Sequence, residues 1–255
     1  MRPSSGEVVA GRNPVVEAIK SRRARRVLLS ATVEQERVIK ALLERANNAG
    51  VPVDIVPAAH VERLAPGINH QGVVALCEER EYYTLDEVLG IAREKNEDPF
   101  LILLDGVEDP HNLGAILRVA DGAGAHGVVI PARGAAGLTP TVFKASAGAA
   151  EHVPVAQVGN LTDAVLQLKR AEVWVGIAEA SMGKPYYEQR LTGPLALVLG
   201  GEGTGVSHPI AKHADFAMSI PLRGQVTSLN VSVATAILAY ERVRQLAQGA
   251  GKKKP

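Results

Sequence analysis

Three stretches of this 255-residue chain hold residue types that could bind and position reactants. The first is Asp105-Gly106-Val107-Glu108-Asp109-Pro110-His111-Asn112-Leu113-Gly114-Ala115-Ile116-Leu117-Arg118. Its amide, Asn112, and its guanidinium, Arg118, are six residues apart, nearly two helical turns, so both can point towards one end of a sheet. The same pair also reads as a helix N-cap and a surface arginine. The second stretch, Gly200-Gly201-Glu202-Gly203-Thr204-Gly205, lets a backbone approach a ligand closely. It is not a dinucleotide fingerprint, because the third glycine of that pattern would fall at Val206. It is not a phosphate loop either, since neither Gly-Lys pair is followed by Ser or Thr. Glu202 would repel phosphate, so a cationic or neutral ligand fits better. The third stretch runs from Ile220-Pro221-Leu222 to Ser228-Leu229-Asn230. Ser228 is a natural N-cap for the final helix, and Asn230 falls in that helix's first turn.

Other chemistry is scarce. None of the seven histidines pairs at metal-ligand spacing, and His208 and His213, five apart, fall on different faces of a helix. His70 and His111 stand in glycine- and asparagine-containing loops. The single cysteine, Cys77, excludes an intramolecular disulfide and a multi-cysteine zinc site. No metal site is expected.

Elements that could hold the three stretches follow from patterning. Phe100–Leu104 is a continuous apolar run, as in a strand buried on both faces of a parallel sheet. Similar runs recur at Val128–Ile130, Val173–Ile177 and Leu195–Leu199. Helical patterns lie between them at about 112–124, 140–148 and 161–170, and a last one covers about 229–247. Alternating strands and helices predict a doubly wound α/β domain, whose ligands bind beyond the carboxyl ends of its strands. Ahead of it, a smaller α/β sandwich is expected. It has a helix capped by Asn13 that runs to about Lys20, a strand at about 26–30 and a helix at about 33–49 facing inward through Val38, Leu42, Ala46 and Ala49. A strand at Val53–Val56, a short helix at His60–Leu64 and a strand at Gly72–Leu76 complete it.

The formal net charge is only +1, which at face value disfavours a nucleic-acid partner. Segmenting the chain removes that objection. Residues 1–77 hold 11 basic and 7 acidic side chains, residues 78–98 hold 3 and 8, and residues 99–255 hold 14 and 12. A basic front domain (1–77) and a mildly basic second domain (99–255, with a basic tail from about 249) are thus separated by an acidic stretch. That stretch reads as a solvated connector holding one short helix, for which Thr84 and Glu87 form a capping box. Arg22, Arg23, Arg25 and Arg26, just before the apolar run Val27-Leu28-Leu29, form a candidate phosphate-contacting edge, and equally a solvated turn. No apolar run reaches membrane-spanning length, and the N-terminus lacks a signal peptide's apolar core, so a cytoplasmic protein is expected.

Taken together and in order, the three stretches resemble the SpoU/TrmH branch of the SPOUT RNA methyltransferases. Asn112, Gly114 and Arg118 match the family's first motif, Gly200 and Glu202 its second, and Ile220, Ser228, Leu229 and Asn230 its third. Lys144-Ala145-Ser146-Ala147-Gly148-Ala149 is similar to the family's small-residue helix. The front block, closing on Asn69-His70-Gln71-Gly72, is similar to the RNA-binding domain of some members. The layout is most similar to the bacterial branch that methylates a guanosine 2′-hydroxyl of 23S ribosomal RNA.

The resemblance implies a trefoil-knotted catalytic domain that binds S-adenosyl-L-methionine within the knot, and a homodimer with active sites at its interface. It implies cofactor contacts from Leu199, Gly200, Gly201, Ile220, Pro221, Ser228 and Leu229, and catalytic parts for Asn112, Arg118, Glu202, Ser228 and Asn230. Arg118 has the family role of general base. Because arginine stays protonated in proteins, a clamp on phosphate or on the developing alkoxide suits it better. Asn112 would orient the ribose, Glu202 would fix Arg118 or Asn230, and Ser228 and Asn230 would shape the site. Arg22, Arg23, Arg25, Arg26 and His70 are the RNA-contact candidates. A transfer-RNA substrate, or a noncatalytic RNA-binding assembly role, are the alternatives.

Overall fold

The computed structural model describes residues 7–33, 37–78, 81–179, 183–201 and 203–250. These fall into two compact units. The first comprises the described residues up to Glu81 together with Gly137–His152. It contains β1 (Glu7–Ala10), α1 (Arg12–Lys20), β2 (Ala24–Ser30), α2 (Arg37–Asn48), β3 (Val53–Val56), α3 (Ala58–Leu64) and β4 (Val73–Cys77). The sheet order is β1-β4-β2-β3. β4 runs antiparallel to β1 and β2, and β3 runs parallel to β2.

Two local expectations change here. Gly11, not Asn13, is the N-cap of α1, because the helix begins at Arg12 and places Asn13 inside its first turn. The buried face of α2 is Ile39, Leu42 and Ala46, while Val38 is 47% exposed. Ile39, Leu42 and Ala46 follow the i, i+3, i+7 spacing of one helical face, which leaves Val38 a step off the stripe.

The second unit opens with Tyr83, bridged to Ala156, and α4 (Leu85–Glu94). Thr84 and Glu87 form the expected capping box. The connector is not solvated throughout, however. Leu85, Val88, Leu89 and Ala92 repeat at helical spacing and are buried in the unit's core, leaving the charges on the outer face. Then come β5 (Phe100–Asp105), α5 (Pro110–Gly122) and β6 (Gly127–Pro131). At this point α6 (Pro140–Ala145) and a 3-10 turn at Ala149–Glu151 leave for the first unit. The chain returns as β7 (Val155–Val158), α7 (Leu161–Arg170), β8 (Trp174–Ala178), β9 (Lys184–Pro185), β10 (Leu195–Gly200), α8 (His208–His213), β11 (Phe216–Ser219) and α9 (Val231–Ala250).

All seven strands are parallel, in the order β7-β6-β5-β10-β8-β11-β9. β5 lies between β6 and β10, and Leu101 to Leu104 have no exposed surface. The continuous apolar run is thus explained by burial on both faces. β10 enters between β5 and β8, so its carboxyl end lies beside those of strands far from it in sequence. Among the described residues no helix is long and apolar enough to cross a membrane.

Candidate active site

The site forms where β5, β8, β10 and β11 end. Asp105 closes β5 and holds the next loop: its carbonyl accepts from the Gly201 N–H at 2.7 Å, and its Oδ2 accepts from the Ser207 N–H at 2.7 Å. The glycines that follow β10 are required by space. A Cβ on Gly200 would fall 1.9 Å from the Gly205 carbonyl carbon, and one on Gly201 would fall 2.2 Å from the Gly106 oxygen. No larger residue fits without moving backbone.

Against this loop lies the segment from β11 to α9, and the two enclose a cavity of about 260 Å³. Leu199, Gly200 and Gly201 line one wall, with Ile220, Ser228 and Leu229 opposite. Six of the seven expected cofactor residues therefore converge. Pro221 does not line the cavity, whereas its neighbours Ile220 and Leu222 do. Sequence reasoning missed Ala178 and Glu179 at the end of β8, and Met218 on β11. Ala178 and Glu179 fall just past the apolar run that marks β8, and Met218 lies on a short, partly exposed strand without a distinctive pattern. Glu179 is the wall's carboxylate, and no lysine or arginine lines the cavity among the described residues.

A second cavity of about 450 Å³ adjoins the first, sharing Gly201 and Val231, and is lined also by Glu108, Asp109, Asn112 and Thr204. Asn112 is no helix cap: Asp109 caps α5 by accepting from the His111 N–H at 2.8 Å. Instead the Asn112 Oδ1 accepts from Asn230 Nδ2 at 2.9 Å. Ser228 does not cap α9 either. Asn230 takes that part, its Oδ1 accepting from the Ser232 N–H at 3.0 Å and the Ser232 hydroxyl at 2.6 Å. The helix starts at Val231, so the residue immediately before it owns the capping position. Glu202 lies outside the described residues. Arg118 is exposed and lines neither cavity, and among the described residues it makes no hydrogen bond or ion pair.

The arginine-rich turn does not act as one edge. Arg23 is enclosed: it bonds Glu7, both oxygens of Glu151 at 2.7 Å and the Glu78 carbonyl at 2.8 Å, and its guanidinium lies 5.1 Å from the centre of the Phe143 ring. It is withdrawn from solvent, which corrects its assignment as an RNA contact. Arg25 pairs with Glu78 and Arg26 with Asp54 at 2.7 Å, yet both stay largely exposed, and Arg22 is exposed as well. His70 sits in a turn, its Nδ1 accepting from the Gly72 N–H at 2.9 Å and its Nε2 bonding Glu62 at 3.0 Å.

Residues 99–240 match the SpoU rRNA Methylase family, and residues 8–83 match the RNA 2′-O ribose methyltransferase substrate binding family. The chain is 43% identical over 239 residues to YacO of Bacillus subtilis, a TrmH family tRNA/rRNA methyltransferase, covering 94% of this chain and 96% of that one. It is similar to the SpoU methyltransferase AviRb of Streptomyces viridochromogenes, at TM-score 0.80 and 25% identity, covering 96% of this chain and 91% of that one. AviRb has also been solved in complex with the cofactor AdoMet. A TrmH-family protein from Porphyromonas gingivalis superposes at TM-score 0.74 with 30% identity, covering 94% and 90% of the two chains. With glycine loop, capping asparagine and both family matches in place, the chain belongs to the SpoU/TrmH family of RNA methyltransferases.

Proposed function

We propose that this protein methylates the ribose 2′-hydroxyl of a guanosine in 23S ribosomal RNA, using S-adenosyl-L-methionine and working in the cytoplasm as a homodimer. One observation carries the reading. A glycine-walled cavity with a carboxylate and, among the described residues, no basic side chain adjoins a polar cavity that contains Asn112. The first suits a cationic, partly apolar ligand and disfavours a nucleotide phosphate. The second leaves room for a nucleotide beside it.

The residues present fit the cofactor. Gly200 and Gly201 offer bare backbone, Leu199, Ile220 and Leu229 an apolar surround, and Glu179 a counter-charge for a cation. When bound, S-adenosylmethionine supplies an electrophilic methyl group on its sulfonium sulfur. Asn230 holds the Asn112 amide by one bond and caps α9 by two others, so the Asn112 orientation is set before substrate arrives. With its Oδ1 accepting from Asn230, Asn112 serves to orient the ribose and cannot take the hydroxyl's proton. Ser228 lines the cofactor wall, and the part proposed for Glu202, which lies outside the described residues, is to fix Arg118 or Asn230. Arg118 acts as a clamp on phosphate or alkoxide. Because it lines neither cavity of its own chain, we assign it to the site of the partner protomer, which makes the dimer a requirement of the chemistry. Arg22, Arg25, Arg26 and His70 remain as RNA contacts of the first domain.

Incubation with methyl-labelled S-adenosylmethionine and separate ribosomal and transfer RNA pools, followed by nucleoside analysis, tests the proposal. The expected product is 2′-O-methylguanosine in 23S RNA. Label in transfer RNA alone would replace the substrate, and absence of label from both pools would remove the enzymatic reading.

A further inference from the structure

We propose that Glu108 reads the target base and selects guanine. The inference rests on the guanosine reading above and adds the residue that enforces it. Glu108 lines the cavity that holds Asn112 and adjoins the cofactor wall, where the nucleotide being methylated has to sit. It is exposed, and among the described residues it makes no hydrogen bond or ion pair. Its neighbour Asp109 is already occupied as the cap of α5. The loop after β6 passes close by at Gly134, where an added Cβ would lie 3.8 Å from the Glu108 Oε1, so no side chain from that residue competes for the carboxylate.

An unpaired carboxylate is an odd lining for a cavity that receives a polyanion. It repels phosphate, and towards a neutral base it acts by accepting hydrogen bonds. Enzymes that act on an unstacked nucleotide read it on its Watson–Crick edge. Guanine alone presents two adjacent donors there, N1–H and N2–H2, which match the two acceptors of a carboxylate. Adenine and cytosine each place a ring-nitrogen acceptor against it. Uracil offers one donor between two carbonyl oxygens. The same carboxylate thus attracts guanine and repels the other three bases.

The test uses the full-length protein and labelled S-adenosylmethionine. The nucleotide labelled by the wild-type enzyme is mapped, and 23S RNA is then ligated from pieces carrying guanosine, inosine or adenosine at that place. Inosine keeps N1–H and lacks the N2 amine. Wild type is expected to prefer guanosine to inosine by about tenfold to a hundredfold in kcat/KM, as for loss of one hydrogen bond to a charged group. In Glu108→Gln and Glu108→Ala that preference collapses to about twofold or less, while calorimetric S-adenosylmethionine affinity is kept, because Glu108 does not line the cofactor wall. Retained affinity also shows that the variants fold. An unchanged guanosine-to-inosine preference in both variants would overturn the role of Glu108 and leave the guanosine reading intact. Wild-type label on a nucleotide other than guanosine would overturn both.

Discussion

Single residues in this site are constrained by space and by hydrogen-bond direction. Gly200 has no room for a methyl group, since the Gly205 backbone stands 1.9 Å from where it would go. Gly200→Ala is therefore expected to push the backbone at Gly205 and Val206 outward, costing about 1–3 kcal/mol of stability as overpacked sites do. Cofactor affinity should fall with it. Urea unfolding and calorimetric titration of S-adenosylmethionine check both; unaltered values would mean that the loop is not held where it stands. Asn230 takes the capping role expected of Ser228 and contacts Asn112 with the same side chain, Oδ1 on the helix and Nδ2 on Asn112.

Among the elements, the arginine-rich turn and the start of the second sheet carry the clearest consequences. Arg23 neutralises Glu151, whose side chain has no exposed surface, and Glu7 beside it. Arg23→Ala leaves those carboxylates buried without their cation, and a loss of roughly 3–5 kcal/mol is expected in urea unfolding. Arg22→Ala, with its side chain in solvent, should change stability by less than about 0.5 kcal/mol. Beneath the same arginine, burial pushes the Cys77 thiol up to about 12, so the thiol is inert at neutral pH. His126, buried where β6 begins, accepts from the Phe100 N–H at 3.0 Å through Nδ1. Burial holds its imidazole below the ordinary value, against the opposing pull of Glu97. The fold thus favours the neutral ring. Stability should be full above the unfolded value of about 6.5 and fall as the pH drops below it. Urea midpoints at pH 5.5 and 7.5 should differ more for wild type than for His126→Gln; equal differences would show that other groups govern the acid loss.

The whole molecule decides where Arg118 acts. If it serves the partner's site, inactive Arg118→Ala and inactive Asn112→Ala proteins should complement one another. A heterodimer then holds one complete site, and a randomly mixed sample should recover about a quarter of wild-type methyl transfer, since half the dimers are mixed and each has one working site of two. No recovery after subunit exchange would place Arg118 in its own chain's site. The N-terminal unit should contribute RNA affinity with a salt dependence. Replacing Arg25 and Arg26 together is expected to lower the slope of log affinity against log salt by about 2 if both contact phosphate.

Much of this was legible without coordinates. Four buried strands were visible as apolar runs, because burial on both faces of a parallel sheet leaves a continuous signature. The capping box of α4 was visible, because caps are contacts between residues three apart. The glycine loop and the asparagine before the last helix were visible as residue types. Short or half-exposed elements such as β7, α8 and β11 left no pattern, and Glu179 was hidden with the end of β8. The capping position was misplaced by two residues, since Ser228 and Asn230 are equally good caps and only the helix start tells them apart. What remained beyond reach were pairings across the chain. Asn112 meets Asn230 over 118 positions, Arg23 meets Glu151 over 128, and the arginine that reads as an RNA contact turns inward to do so. Propensity, capping and hydrophobic period act within a turn or two and are written locally. Which distant side chains share a site depends on β10 entering the sheet between β5 and β8, a matter of register and packing that no neighbouring residues encode.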